Sequence, residues 1–323
     1  MSFRFDALAV LLLLGELATA VYIGGIAKIA VLTGIAVVLF PELAALAYDV
    51  FSRPRGVWAN ALPMLVATPL LTAVSGVLIE HNMGYGFPSV FLSIAVALLV
   101  IRALDSPIAP AISAGLLPVV LGEGSWWYPL SILLGTSLLA ASLLLYRKAF
   151  SRTIAGVPAC ATPVEDDIVE RAPRQYNWLP FFIVFLALCM VLVEWTGWRF
   201  ILFPPLVVIG FEMFAHSDVC PWADRPFVLS AVCSLAAFAG LVMNLSLGSG
   251  PVAAMLAVVI AMGICRVARL YIPPAIAVSL LPFVIASPDF RFPLAVAGGT
   301  LLLAGSFLSY RYFSRSRISA QRV

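Results

Sequence analysis

The chain has 323 residues, of which 63% are hydrophobic and 11% charged, with a formal net charge of +3; its mean hydropathy is +1.07. That balance excludes an ordinary soluble domain, because apolar runs fill most of the length and charges sit in short clusters between them. Lipid offers the backbone no hydrogen bonds, so the runs are read as helices, and no alternation of period two points to a barrel.

The N-terminus resembles a secretory signal, with Arg4 ahead of a leucine run and Ala18-Thr19-Ala20 set like a cleavage site. Glu16 interrupts that run, and the second half has its own leading segment, where cleavage has no meaning, so the first segment (7–26) is expected to be retained. Further segments are predicted near 29–48, 57–79, 88–101, 107–121 and 127–146. A polar stretch follows at 148–177, with Arg152, the acidic run Glu165-Asp166-Asp167, Arg171, Arg174 and three prolines. Such a composition marks a linker outside the membrane. The series restarts near 179–193, 200–215, 226–247, 251–265, 272–286 and 292–310, and a basic tail occupies 314–323.

Residues 102–147 return without a gap at 266–311. At this shift of 164, 20 of 46 positions are identical. The matches include Arg102 with Arg266, Pro110-Ala111-Ile112 with Pro274-Ala275-Ile276, and Leu116-Leu117-Pro118 with Leu280-Leu281-Pro282. Prolines, glycines and arginines do not coincide by hydrophobic drift, so the chain reads as a duplication, a common construction among transporters. Leu39-Phe40-Pro41 before Asp49 matches Leu202-Phe203-Pro204 before Glu212 at a shift of 163, and Arg53-Pro54 matches Arg225-Pro226. The expected fold is an all-α polytopic transmembrane bundle of two tandem repeats of about six helices each, 1–147 and 178–313.

Charge sets the expected topology. If all segments cross and the N-terminus is inside, the inner loops hold Arg53, Arg55, Arg102, Arg147, Lys148 and Arg152, then Arg225, Arg266, Arg269 and the basic tail. The outer loops hold Lys28, Glu80, His81 and Glu123, then Glu194, Arg199, Asp289 and Arg291. The bias has the same sense in both halves, which makes the repeats parallel and both termini cytoplasmic, in the cell (inner) membrane. Segments 107–121 and 272–286 are shorter than the roughly 20 apolar residues a perpendicular span needs. They either cross or re-enter.

Paired, short, proline-interrupted segments are also the best sequence pointer to a transporter's binding site. Proline removes an N–H and frees a carbonyl, and a helix starting at prolines turns its positive end toward what precedes it. The candidate substrate-binding residues are therefore Pro110, Ser113 and Pro118 in the first copy and Pro273, Pro274, Ser279 and Pro282 in the second. The bland alternative is a pair of tightly packed kinked helices. Arg102 and Arg266, ahead of these segments, suit a planar oxyanion, or else serve as snorkelling anchors. Glu16 is the candidate for proton coupling, against a hydrogen-bonded structural role.

Ile272-Pro273-Pro274-Ala275 to Leu280-Leu281-Pro282, with Arg225-Pro226 upstream, resembles the pattern of the HPP family of integral membrane proteins. Ile108-Ala109-Pro110-Ala111 to Leu116-Leu117-Pro118, with Arg53-Pro54, resembles a weaker second copy. The resemblance covers about 39–147 and 202–311. The family's histidine is replaced by Ile108 and Ile272, so a role tied to that imidazole is not carried over. Because members have been linked to nitrite transport, the resemblance implies a small-anion permease.

No cofactor is expected. The five cysteines form no CxxC, and two histidines complete no familiar metal pattern with them. No Walker loop, serine elbow or HExxH occurs, so no enzyme and no self-contained ATP-driven pump is read here. Gly84-Tyr85-Gly86 is read as a loop turn, since it lacks the context of a potassium filter. The expected partners are membrane lipid and a small solute, with no nucleic acid. A non-transporting scaffold or partner-binding subunit is the competing function.

Overall fold

The computed structural model describes residues 2–156 and 176–320 and contains helices and connections, with no strand among the described residues. In chain order the first half comprises α1 (Ser2–Thr33), a 3-10 turn at Ala36–Val38, α2 (Glu42–Ser52), α3 (Val57–Asn60), α4 (Leu62–Met83), α5 (Phe87–Ala103), α6 (Ala111–Leu121), α7 (Trp127–Ala149) and α8 (Ser151–Gly156). The second comprises α9 (Leu179–Thr196), a 3-10 turn at Arg199–Leu202, α10 (Pro204–Ala215), α11 (Pro226–Leu247), α12 (Pro251–Ala268), α13 (Pro273–Val278), a 3-10 turn at Leu281–Phe283 and α14 (Arg291–Ala320).

Local chemistry explains the boundaries. Proline opens the first turn of α4, α5 and α9 through α13, where its missing N–H costs nothing. Gly122 and Gly197 close α6 and α9 in the left-handed conformation, which an ordinary side chain resists. Seven helices (α1, α4, α7, α9, α11, α12 and α14) are long and apolar enough to cross a membrane. They are apolar around their whole circumference, and their outer faces carry exposed Leu17, Leu145, Val191 and Val252. Such helices need lipid for their outer faces, and the chain is a membrane protein of the all-α polytopic class.

The short helices behave differently. Every residue of α2 is buried, as are Ala111–Val120 of α6, Pro204–Phe214 of α10 and all of α13. They form the centre, and they pack across the two halves: α2 lies on α13, and α6 lies on α10. The long helices form the surround, with α4 against α5, α6 and α7, and α11 against α12, α13 and α14.

The expected segment at 29–48 needs correction. Lys28 does not end a helix; it lies exposed within α1, which runs on to Thr33. Gly34, at φ +70°, ends α1, and the remainder is split between the 3-10 turn and α2. At the start of the expected linker, α7 runs on to Ala149 and α8 follows. The acidic run at 165–167 lies outside the described residues.

Segment 107–121 runs in one direction along α4 between Ser106 and Gly124. Thr68 on α4 donates to Ser106 at 2.8 Å. Farther along α4, Gly76 abuts Gly115, and Glu80 reaches the backbone at Gly124. From Thr68 to Glu80 is about 18 Å of helix. One end of the bundle is marked by Arg147, which donates to the carbonyls of Pro54 and Ala59 at 2.8 and 2.7 Å. At the other end the Arg199 guanidinium lies 4.4 Å above the Tyr85 ring. Burial, opposed by Arg199, pushes the Tyr85 phenol up to about 12, so it presents a neutral ring to that cation at neutral pH.

Candidate functional site

Among the described residues the buried charged side chains are Glu42, Asp49 and Arg53, at or next to α2, and Glu212 on α10. Asp49 is fully buried and pairs with Arg53, one turn on, whose Nε donates at 2.7 Å and whose Nη2 also contacts the same oxygen. Tyr271, in the connection before α13, donates its hydroxyl to that Asp49 oxygen at 3.0 Å. Its ring stacks on Tyr48 at 5.0 Å and lies beneath the Arg53 guanidinium at 5.3 Å. The cluster therefore joins the first half to the second through charge-assisted bonds in a low-dielectric setting, where such bonds are strong and their loss is costly.

Glu42 begins the same helix. It is 1% exposed, and both carboxylate oxygens lack a hydrogen bond. The Ser113 side chain of α6 is its polar neighbour, close enough to act on the carboxylate but without closing a well-formed bond. Tyr128 on α7 lies nearby, with its hydroxyl committed to the Ala114 carbonyl at 2.9 Å.

That last bond answers a question raised by the proline in α6. Pro118 cannot donate to residue 114, four positions earlier, and its ring sits in the turn where that bond would form. Tyr128 supplies the missing donor. In the second half the matching position is Phe292, which has no hydroxyl, and there the helix gives way at Ser279 to the 3-10 turn carrying Pro282.

Of the sequence-derived candidates, Pro110 caps α6, Ser113 lies beside Glu42, and Pro118 is the internal proline just described. Pro273 and Pro274 open α13, and Ser279 closes it, returning its hydroxyl to the Ile276 carbonyl at 2.7 Å. All of these are buried in the centre. The arginines are not. Arg102 is exposed at the end of α5, with its guanidinium 5.2 Å above the Tyr176 ring. Arg266, more than half exposed at the end of α12, pairs with Glu16 at 2.7 Å. The two arginines are thus engaged with different partners rather than facing one another, and Glu16 has its own cation.

Four features escaped the sequence reading. Glu42 was legible as an acid inside an apolar segment, directly after Leu39-Phe40-Pro41. Tyr271 and Tyr128 carried no local signal, because their partners are distant in the chain. The fourth is a pair of glycine contacts: a Cβ on Gly76 would stand 2.0 Å from the Gly115 carbonyl oxygen, and one on Gly240 would stand 1.9 Å from that of Ser279. Both members are separated by 164 residues, the spacing of the repeated block.

Two cavities border this core. One, of about 630 Å³, is an apolar groove between α5 and α9 with Arg102 and Tyr176 at its edge. The other, of about 260 Å³, lies at the Tyr85 end and is lined in part by Arg199, Ser287, Asp289 and Arg291. Among the described residues no cluster of histidine, cysteine and acidic side chains is disposed to hold a metal ion. Comparison with known proteins finds no family model, no curated protein and no solved structure that matches this chain.

Proposed function

We propose that the protein is a membrane permease for a small solute, with its path between the two halves and a small anion such as nitrite as the solute. One observation carries this reading: of the buried helices that pack across the halves, α2 on α13 and α6 on α10, one partner in each pair carries acids at the centre of an apolar bundle, Glu42 and Asp49 on α2 and Glu212 on α10. Ionisable groups are expensive in such surroundings, and their default reading is a solute or proton path. Helices broken at prolines in matching places supply the loosened backbone that such paths use.

The anion assignment rests on the HPP-like residues around Pro110–Pro118 and Pro273–Pro282, and on the arginines at the Tyr85 end. Arg199 and Arg291 line the 260 Å³ cavity together with Asp289, which lies 3.8 Å from Arg291, so one positive charge is left over, and this favours an anion there. In this reading the halves are parallel copies, both termini are cytoplasmic, and the protein resides in the cell membrane.

The test is flux of nitrite, nitrate, chloride and formate into proteoliposomes, for the wild type and for Arg102→Ala/Arg266→Ala. Uptake of one or more above empty liposomes supports the proposal. Absence of flux for all four sinks the small-anion reading.

A further inference from the structure

Glu42 differs from Asp49 and Glu212, the other buried acids among the described residues, each of which has a partner. Asp49 has Arg53 and Tyr271, whereas neither oxygen of Glu42 makes a hydrogen bond. Ser113 Oγ, fully buried beside it, makes none either. An ionised carboxylate held this way is costly unless it is neutralised or supplied with donors.

The surroundings provide for both protonation states. Ionised Glu42 sits at the first turn of α2, whose positive end favours negative charge, and the Ser113 hydroxyl is able to donate to it. Protonated Glu42 carries an O–H of its own, for which Ser113 Oγ is an acceptor. The other groups facing this position are already engaged. Tyr128 of α7 donates to the Ala114 carbonyl. On α1, Tyr22 donates to the Gly135 carbonyl, Glu16 pairs with Arg266, and Lys28 is exposed. The helix α13 has no titratable residue.

We propose that Glu42 and Ser113 form a proton-binding site, at which the Glu42 carboxyl gains and loses one proton as the permease turns over. This rests on the transport reading above. A metal cation fits poorly, because one carboxylate and one hydroxyl fall short of the six or more oxygens that hard divalent ions take. The site occurs once per chain: at the matching spacings of 163 and 164 the second half has Pro205 and Ala277.

The test uses the full chain in lipid vesicles and an apolar carbodiimide, which reacts with protonated carboxyls in apolar surroundings, with the modified residue found by mass spectrometry. The expected adduct is on Glu42, falling about tenfold per pH unit once the carboxyl ionises, and absent in Glu42→Gln. Ser113→Ala, a milder change, shifts the pH at which labelling falls. A second arm follows an internal pH dye under an imposed nitrate gradient, where Glu42→Gln abolishes the dye response of the wild type. A Glu42 that stays unreactive at every pH overturns the proposal, as does labelling that Ser113→Ala leaves unmoved. Labelling of Glu42 without flux of any anion rejects the small-anion reading and leaves the proton site standing.

Discussion

The Tyr271 hydroxyl and the Asp49 carboxylate, 222 residues apart in the chain, are joined by a 3.0 Å hydrogen bond. Because Arg53 contacts the same carboxylate oxygen, removal of Asp49 strips a buried guanidinium of its carboxylate. Asp49→Asn is expected to cost about 3–5 kcal/mol, and Tyr271→Phe about 1.5–3 kcal/mol. The apolar pair Asp49→Leu/Arg53→Met is expected to be milder than Asp49→Asn, since it removes both charges. Thermal unfolding in detergent orders the three variants, and a double replacement worse than Asp49→Asn contradicts this account.

Tyr128 and Pro118 act on one carbonyl. Tyr128→Phe leaves the Ala114 oxygen buried without its donor, at an expected cost of about 1–3 kcal/mol. In a Pro118→Ala background the restored N–H serves that oxygen, so the same substitution is expected to cost distinctly less. A double-mutant cycle on detergent melting curves reads the difference, and strict additivity is the adverse result.

Gly76 and Gly240 admit no Cβ, because the opposing atom is a backbone carbonyl and not a flexible side chain. Gly76→Ala and Gly240→Ala are expected to lower the folded yield severalfold and to depress the melting temperature. Gly25→Ala and Gly263→Ala, with no atom within 4 Å of the added carbon, serve as controls. Size-exclusion profiles after membrane extraction distinguish the two groups.

The Glu16–Arg266 pair is half open to its surroundings, with side-chain exposures of 20% and 55%. Pairs of this kind contribute about 0–1 kcal/mol. Glu16→Gln is therefore expected to leave stability and carbodiimide labelling of Glu42 nearly unchanged. A collapse of either on this substitution assigns Glu16 a larger part than its geometry supports.

The course of the 106–122 segment along α4 places Arg55 and Ser125 at opposite ends of the bundle. With Cys160 replaced by serine, Arg55→Cys and Ser125→Cys are expected to react with an impermeant thiol reagent from opposite sides of the membrane. The four described cysteines are buried and remain silent. Labelling of both from one side contradicts the end-to-end passage.

The fold class was legible because apolar length is a one-dimensional property. Segment 226–247 coincides with α11, where Pro226 and the glycine at 248 punctuate both ends. Segment 29–48 failed because a charged residue was read as a boundary, whereas Lys28 is accommodated by turning its end outward from a continuing helix. The prolines and serines of the short segments stood out because the repeat drew attention to them, and the structure buries them in the centre. The common register of the arginines fixes their place at helix ends, and says nothing of whether they meet. Glu42 and Tyr271 depend on contacts between distant segments, which periodicity does not encode.

The cross-packing of α2 on α13 and of α6 on α10 also sets an order for biogenesis. When the ribosome has delivered the first half to the membrane, α2 and α6 still lack the faces that will cover them. Asp49 and Arg53 wait for Tyr271 until the penultimate segment arrives. The nascent first half is therefore an unfinished object whose centre has to be guarded, by translocation machinery or by lipid, until the matching segments of the second half are made.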